Sequence, residues 1–195
     1  MTMNYHRRGG GGVKRIPEKT QILLARMVVC GFVSGALCIL MHELGHGIVA
    51  LASGARITRF SLIRGFVSTS GGHKGYLIRQ LFYAAGFLLP SLSAAVYALL
   101  FRRGESPMYR IFSALYETVC AAALLDWIVT PFLWLLRQAP PGDDCTMFLD
   151  FYPHHPLTVS AAVTALAVLL IYLAVRRGIF SDFMETIRNH LDKDG

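Results

Sequence analysis

Apolar residues gather into four long runs in this chain: about Ile22 to Ala52, Leu81 to Phe101, Tyr109 to Leu136 and Leu157 to Val175. Each is long enough to cross the hydrocarbon core of a bilayer, which takes roughly 20 helical residues. The first and third exceed that length and are expected to tilt or protrude. The segment between the first two runs has a different rhythm. Arg56-Ile57-Thr58-Arg59-Phe60-Ser61-Leu62 alternates, Arg64-Gly65 offers a turn, and Phe66 to Ser70 continues in strand-forming residues before Gly71-Gly72 breaks the pattern. The pattern predicts an all-α membrane protein with about four transmembrane helices and a short β-hairpin or re-entrant segment between the first and second. Residues 1–19, basic and rich in glycine, read as a flexible tail. Residues 20–176 form one membrane-embedded domain. Residues 177–195 form a cytoplasmic tail, with a helix over Gly178 to Leu191 lying along the membrane surface.

Composition supports this division. Of 195 residues, 54% are hydrophobic and 16% charged, too apolar for an ordinary water-soluble domain of this length. The net charge of +7 would suggest nucleic acid in a soluble protein. Here the basic residues sit at the ends of the apolar runs, where they read as topology signals and contacts to lipid headgroups. No nucleic-acid module is visible, so the bilayer is the expected partner. The N-terminal tail, Arg102-Arg103 with Arg110, and Arg176-Arg177 fall on one side, expected to be cytoplasmic. Arg56, Arg59, Arg64, Lys74 and Arg79 fall on the other side and run against that assignment. The four cysteines form no Cys-x-x-Cys pair. Cys38, one turn before His42, reads as a small packing residue.

His42-Glu43-Leu44-Gly45-His46 lies inside the first apolar run. Two histidines four apart share one helix face and can grip one Zn²⁺, while the glutamate between them can take a proton from a metal-activated water. Ionisable groups at membrane depth are costly and mark functional sites. A catalytic zinc site needs a third protein ligand. Glu117 and Asp126 lie nine residues apart on the third run and point to opposite faces. Glu117 falls too far towards the start of its span, and Asp126 is closer in depth. Asp143 and Asp144 follow Pro140-Pro141-Gly142, where a reversal can fold them back towards the first run. They could equally cap a short helix over Cys145 to Phe151. The residues alone leave Asp126 and this pair level. His73, His154 and His155 read as loop residues near the surface. Gly31 and Gly35 read as a face for close helix packing.

His42-Glu43-Leu44-Gly45-His46-Gly47 in a first core span resembles the site-2 protease group of intramembrane zinc metalloproteases, peptidase family M50. Ala84-Ala85-Gly86-Phe87-Leu88-Leu89-Pro90-Ser91 is similar to that group's small-residue segment on the next span. The strand-forming stretch between the two resembles its membrane-associated strands. The resemblance covers about Ile22 to Phe151. The group's third ligand is an aspartate, usually in an Asp-Gly pair that this chain lacks. Some divergent members carry Ser-Asp before a small residue, and Asp144-Cys145 is similar to that. The resemblance therefore implies His42, His46 and Asp144 as zinc ligands, with Asp126 next and Asp143 third, and Glu43 as the catalytic base. It implies peptide-bond hydrolysis in transmembrane protein substrates. The hairpin would hold an unwound substrate as an added strand, and Ser68, Thr69, Ser70 and His73 would line a path for water. The alternative is an inactive relative that binds membrane partners as a chaperone or regulator.

Overall fold

A computed structural model describes residues 18–61, 66–72 and 75–191 of the chain. The tail expected at the N-terminus, apart from its last two residues, lies outside the described residues, as do the Arg64-Gly65 turn and His73. The elements are helix α1 (Glu18–Ala52), strands β1 (Arg56–Ser61) and β2 (Phe66–Ser70), and helices α2 (Tyr76–Leu100), α3 (Pro107–Leu135), α4 (Asp144–Leu149), α5 (Leu157–Arg177) and α6 (Ile179–Leu191). Four of these, α1, α2, α3 and α5, are long and apolar enough to cross a membrane. Their outward faces carry exposed Val28, Phe32, Leu92, Leu125 and Val168. In water such a surface would aggregate; against acyl chains it is at home, because nearly all backbone groups of the spans are paired inside their helices.

β1 and β2 pair antiparallel, Arg56 opposite Ser70 and Ser61 opposite Phe66, with an irregularity at Thr58. The Thr58 hydroxyl donates to the Ser68 carbonyl at 3.1 Å across that irregularity. α2 starts at Tyr76, earlier than the apolar run suggested. Gly75, at φ 97°, makes the turn out of the hairpin, and Tyr76-Leu77-Ile78 is apolar enough to extend the helix. Ser106 accepts from the Tyr109 N–H at 3.3 Å and Pro107 follows it, a pairing that starts α3 cleanly.

α3 is the central helix and touches all five others. Its Tyr116, Cys120, Leu124 and Trp127 are buried with Cys38 of α1, Ala84 and Ala94 of α2, Cys145 and Leu149 of α4, and Val163 and Leu170 of α5. Pro131 sits inside α3 without ending it. It leaves the Trp127 carbonyl without a helical donor, while the neighbouring Ile128 carbonyl accepts from the Ser160 hydroxyl at 2.8 Å, joining α3 to α5. The segment expected as a surface tail is tied into the bundle. Gly178 ends α5 in the left-handed conformation, φ 81°. Ile179 of α6 is then fully buried with Phe101, Ala114 and Ala174. Arg177, read from sequence as a topology charge, donates to the carbonyls of Ala98, Leu99 and Phe101 at 3.1, 2.7 and 3.2 Å, closing the C-terminus of α2.

The close helix approach is not where Gly31 and Gly35 suggested. A Cβ on Gly35 would meet nothing within 4 Å, and one on Gly31 only Leu115 at 4.0 Å. Gly45 is the contact point: a Cβ there would collide with the carbonyl of Ala85 on α2. The obstacle is backbone, so relief requires the two helices to part. Gly45→Ala is expected to destabilise the fold by about 1–3 kcal/mol, read as a lower Tm in detergent, whereas Gly35→Ala, which meets nothing and gains helix propensity, keeps or raises Tm. Equal Tm values for the two variants would contradict this packing.

Candidate metal centre

His42 and His46 occur one turn apart near the C-terminal end of α1, so their rings point the same way. Their Nε2 atoms are 3.0 Å apart. α4 brings in the third group. Asp143 caps that helix, its carboxylate accepting from the N–H groups of Cys145 at 3.0 Å and Thr146 at 3.3 Å. The cap leaves Asp144, the first helical residue, facing α1. Asp144 Oδ2 lies 3.0 Å from His42 Nε2 and 2.9 Å from His46 Nε2. Among the described residues, this is the one group of three or more His, Cys, Asp or Glu side chains whose ligand atoms converge within 4.8 Å.

The other candidate acids have different surroundings. Asp126 lines the same cavity and accepts from the Thr130 hydroxyl at 3.0 Å, but is not part of the converging group. Asp143 serves as the helix cap. Glu117 is buried on the face of α3 that looks towards α5, in a separate apolar cavity with Ala167 and Leu170. His154 and His155 are exposed in the loop before α5.

The proton arrangement explains what the triangle can hold. His46 Nδ1 lies 2.7 Å from the carbonyl oxygen of Phe82 on α2, an acceptor only, so Nδ1 carries the proton. In its neutral form, the form that ligates a metal, His46 therefore presents the Nε2 lone pair to the Asp144 oxygen. Two acceptors at 2.9 Å repel, and a cation between them turns the contact into attraction. Hydrogen-bonding a metal-ligating imidazole through its other nitrogen also fixes its tautomer and its angle. The burial of Asp144 would push its carboxyl up, but the imidazoles of His42 and His46 beside it prevail and hold it down at about 2. It is a carboxylate at any physiological pH.

The dimensions fit. An ion with bonds of 2.0–2.1 Å at tetrahedral angles separates its ligand atoms by about 3.3 Å. The observed sides of 2.9–3.0 Å reach that value by small side-chain rotations. Two imidazoles and a carboxylate suit divalent zinc and iron alike. The site is closed around His46, whose side chain is 5% exposed, and open at His42, 35% exposed. On that side lies a cavity of about 240 Å³, lined among others by His42, Gly86, Trp127 and Asp144. It has room for several waters, so a solvent molecule can reach the triangle.

Glu43 is 3% exposed, and the backbone of Val67 on β2 hydrogen-bonds its carboxyl group. The hairpin is thereby tied to the residue between the two histidines.

Two features of the centre escaped the sequence. The Phe82 carbonyl is backbone and leaves no residue signature. In the sequence Gly86 stands out only as part of a small-residue segment, yet its Cα faces both imidazoles: a Cβ there would lie 2.6 Å from His46 Nε2 and 2.9 Å from His42 Nε2. The Gly between Ala85 and Phe87 on a helix was the available signal, since glycine inside a span has a cost that close approach explains.

No protein-family model matches this chain, and no curated protein or solved structure is similar enough to it to register as a match.

Proposed function

We propose that this chain is a zinc-dependent peptidase that cleaves membrane proteins within or beside the bilayer, as its resemblance to site-2 proteases implies. The observation that carries the reading is the convergence of His42, His46 and Asp144 Oδ2 on one point, with Glu43 between the histidines in sequence and buried beside the hairpin. When bound, a divalent ion supplies Lewis acidity for the scissile carbonyl and acidifies a water. The chain supplies the rest. His46 is locked by Phe82, and Asp144 keeps its negative charge towards both imidazoles. Glu43 accepts the proton of the attacking water and delivers it to the leaving amine. A transmembrane substrate helix hides its carbonyls in its own hydrogen bonds and must unwind before attack. β2 lies next to Glu43 through Val67, so an unwound segment added to the edge of the hairpin would run past the base.

The test has two arms. Purified protein is expected to hold about one zinc per chain, lost in His46→Ala. A transmembrane peptide in detergent or liposomes is expected to be cleaved, with cleavage stopped by a chelator and restored by zinc. Cleavage indifferent to chelation, or a chain that binds no divalent ion, overturns the reading. Stoichiometric metal with no cleavage of any transmembrane peptide favours the alternative, a metal-stabilised membrane protein that binds partners as a chaperone or regulator.

A further inference from the structure

At the end of the bundle where α1 and α3 begin, a second cavity of about 340 Å³ is lined by Lys19, Ile22 and Arg26 of α1, Pro107 and Arg110 of α3, and Thr186, Asn189 and His190 of α6. No acid lines it among the described residues. Arg110 is held in place: its Nε donates to the Glu105 carbonyl at 2.9 Å and its Nη1 lies 3.8 Å from Glu185, whose side chain is 61% exposed. His190 donates Nδ1–H to the Thr186 carbonyl at 2.9 Å, which fixes its ring at the cavity wall. Arg26 is half-buried, and among the described residues no acceptor is hydrogen-bonded or ion-paired to it. A half-buried guanidinium without an acceptor is costly unless something anionic completes it.

We propose that this pocket binds the phosphate of an anionic phospholipid headgroup. Three observations point to that occupant. Three cations from two helices, Lys19 and Arg26 of α1 and Arg110 of α3, line one cavity, and α6 adds the polar Thr186, Asn189 and His190, a mixed donor set that suits phosphate oxygens. The N-termini of α1 and α3 add positive dipole ends at the same place. The pocket lies where two apolar helices begin, so a molecule seated there has its headgroup among Lys19, Arg26 and Arg110 and its acyl chains beside Ile22 and the lipid-facing sides of the spans. α6 forms one wall of the pocket through Thr186, Asn189 and His190. Its packing on α1 and α3 would then depend on lipid as well as on Phe183.

The experiment uses the full chain in a neutral detergent. Lipid binding is measured by native mass spectrometry with phosphatidylglycerol against phosphatidylcholine, and with inorganic phosphate as a headgroup without a tail. Phosphatidylglycerol is expected to bind preferentially. Each basic residue near the surface contributes about 1 kcal/mol, so Arg26→Gln should weaken binding about fivefold and Arg26→Gln with Arg110→Gln about thirtyfold. Arg176→Gln, at the same end but stacked on Tyr172 outside the pocket, should leave binding unchanged. Lys19→Gln, on the exposed first turn of α1, gives a second reading if the arginine variants fail to fold. Equal binding of the two lipids, or an Arg176→Gln effect as large as that of Arg26→Gln, overturns the proposal. Tight binding of inorganic phosphate without any lipid preference assigns the pocket to a soluble phosphate and overturns it equally. Binding is read without any cleavage assay, so the outcome is independent of the metal centre.

Discussion

Glu43→Gln is expected to leave the metal in place and lower kcat for peptide cleavage by about 10²–10⁴-fold, the usual contribution of a positioned general base. The substitution removes one negative charge and nothing else of consequence. The amide has the shape of the carboxyl group, so the nearly closed space around this 3% exposed side chain stays filled. Its oxygen can still accept from the Val67 backbone, so the hairpin keeps its tie to α1. Neither metal-facing nitrogen nor Asp144 Oδ2 is touched. Metal content and Tm should therefore match the parent protein while cleavage disappears, with KM little changed. That split separates a base from a structural residue. A structural Glu43 would lower Tm or metal occupancy together with activity. Unchanged kcat with full metal would remove Glu43 from the mechanism and leave the His-Glu-x-x-His spacing without its chemistry.

Much of this architecture is legible in the sequence because its causes are local. Runs of twenty or more apolar residues dictate the four long helices, and alternation over Arg56 to Leu62 dictates a strand. The histidine pair is legible for the same reason: four residues on one helix fix where both rings point. The third acid is different. Asp126, Asp143 and Asp144 are alike as residues, and which of them approaches α1 depends on how α4 turns after Gly142, a tertiary matter. Asp143 and Asp144 were open to two readings, ligand or cap, and the structure divides the two roles between neighbours: Asp143 caps and Asp144 faces the imidazoles. The wrong choice of packing glycines has the same origin. Gly31 and Gly35 have the small-residue spacing, but spacing does not say which face meets a helix. The contact falls on Gly45, where α1 meets α2. Groups that act through the backbone, such as the Phe82 carbonyl under His46, carry no side-chain signal and become visible only when two helices are placed together.

Gly86→Ala should discriminate between a metal centre and a mere hydrogen-bonded cluster. The added methyl would sit 2.6 Å from His46 Nε2, 2.7 Å from His42 Cε1 and 2.9 Å from His42 Nε2, distances that no carbon can keep. Both rings must give: His46 moves only at the expense of its 2.7 Å bond to the Phe82 carbonyl, and His42, the more exposed ring, swings further. The triangle then opens at one corner. Metal affinity is expected to fall by about 10–100-fold, as it does when the orientation of ligating side chains is lost, and activity should fall in proportion at limiting zinc. The fold should survive. Alanine favours a helix over glycine by about 1 kcal/mol, and the methyl meets movable imidazoles here rather than backbone. The apo protein should therefore lose less Tm than Gly45→Ala does at the same α1–α2 contact, where the obstacle is backbone. Metal titration followed by chelator competition, with Tm measured on the stripped protein, reads both quantities in one preparation. If Gly86→Ala binds zinc as tightly as the parent, the two Nε2 atoms are not the ligands. The contact between His42, His46 and Asp144 would then have to be carried by a proton.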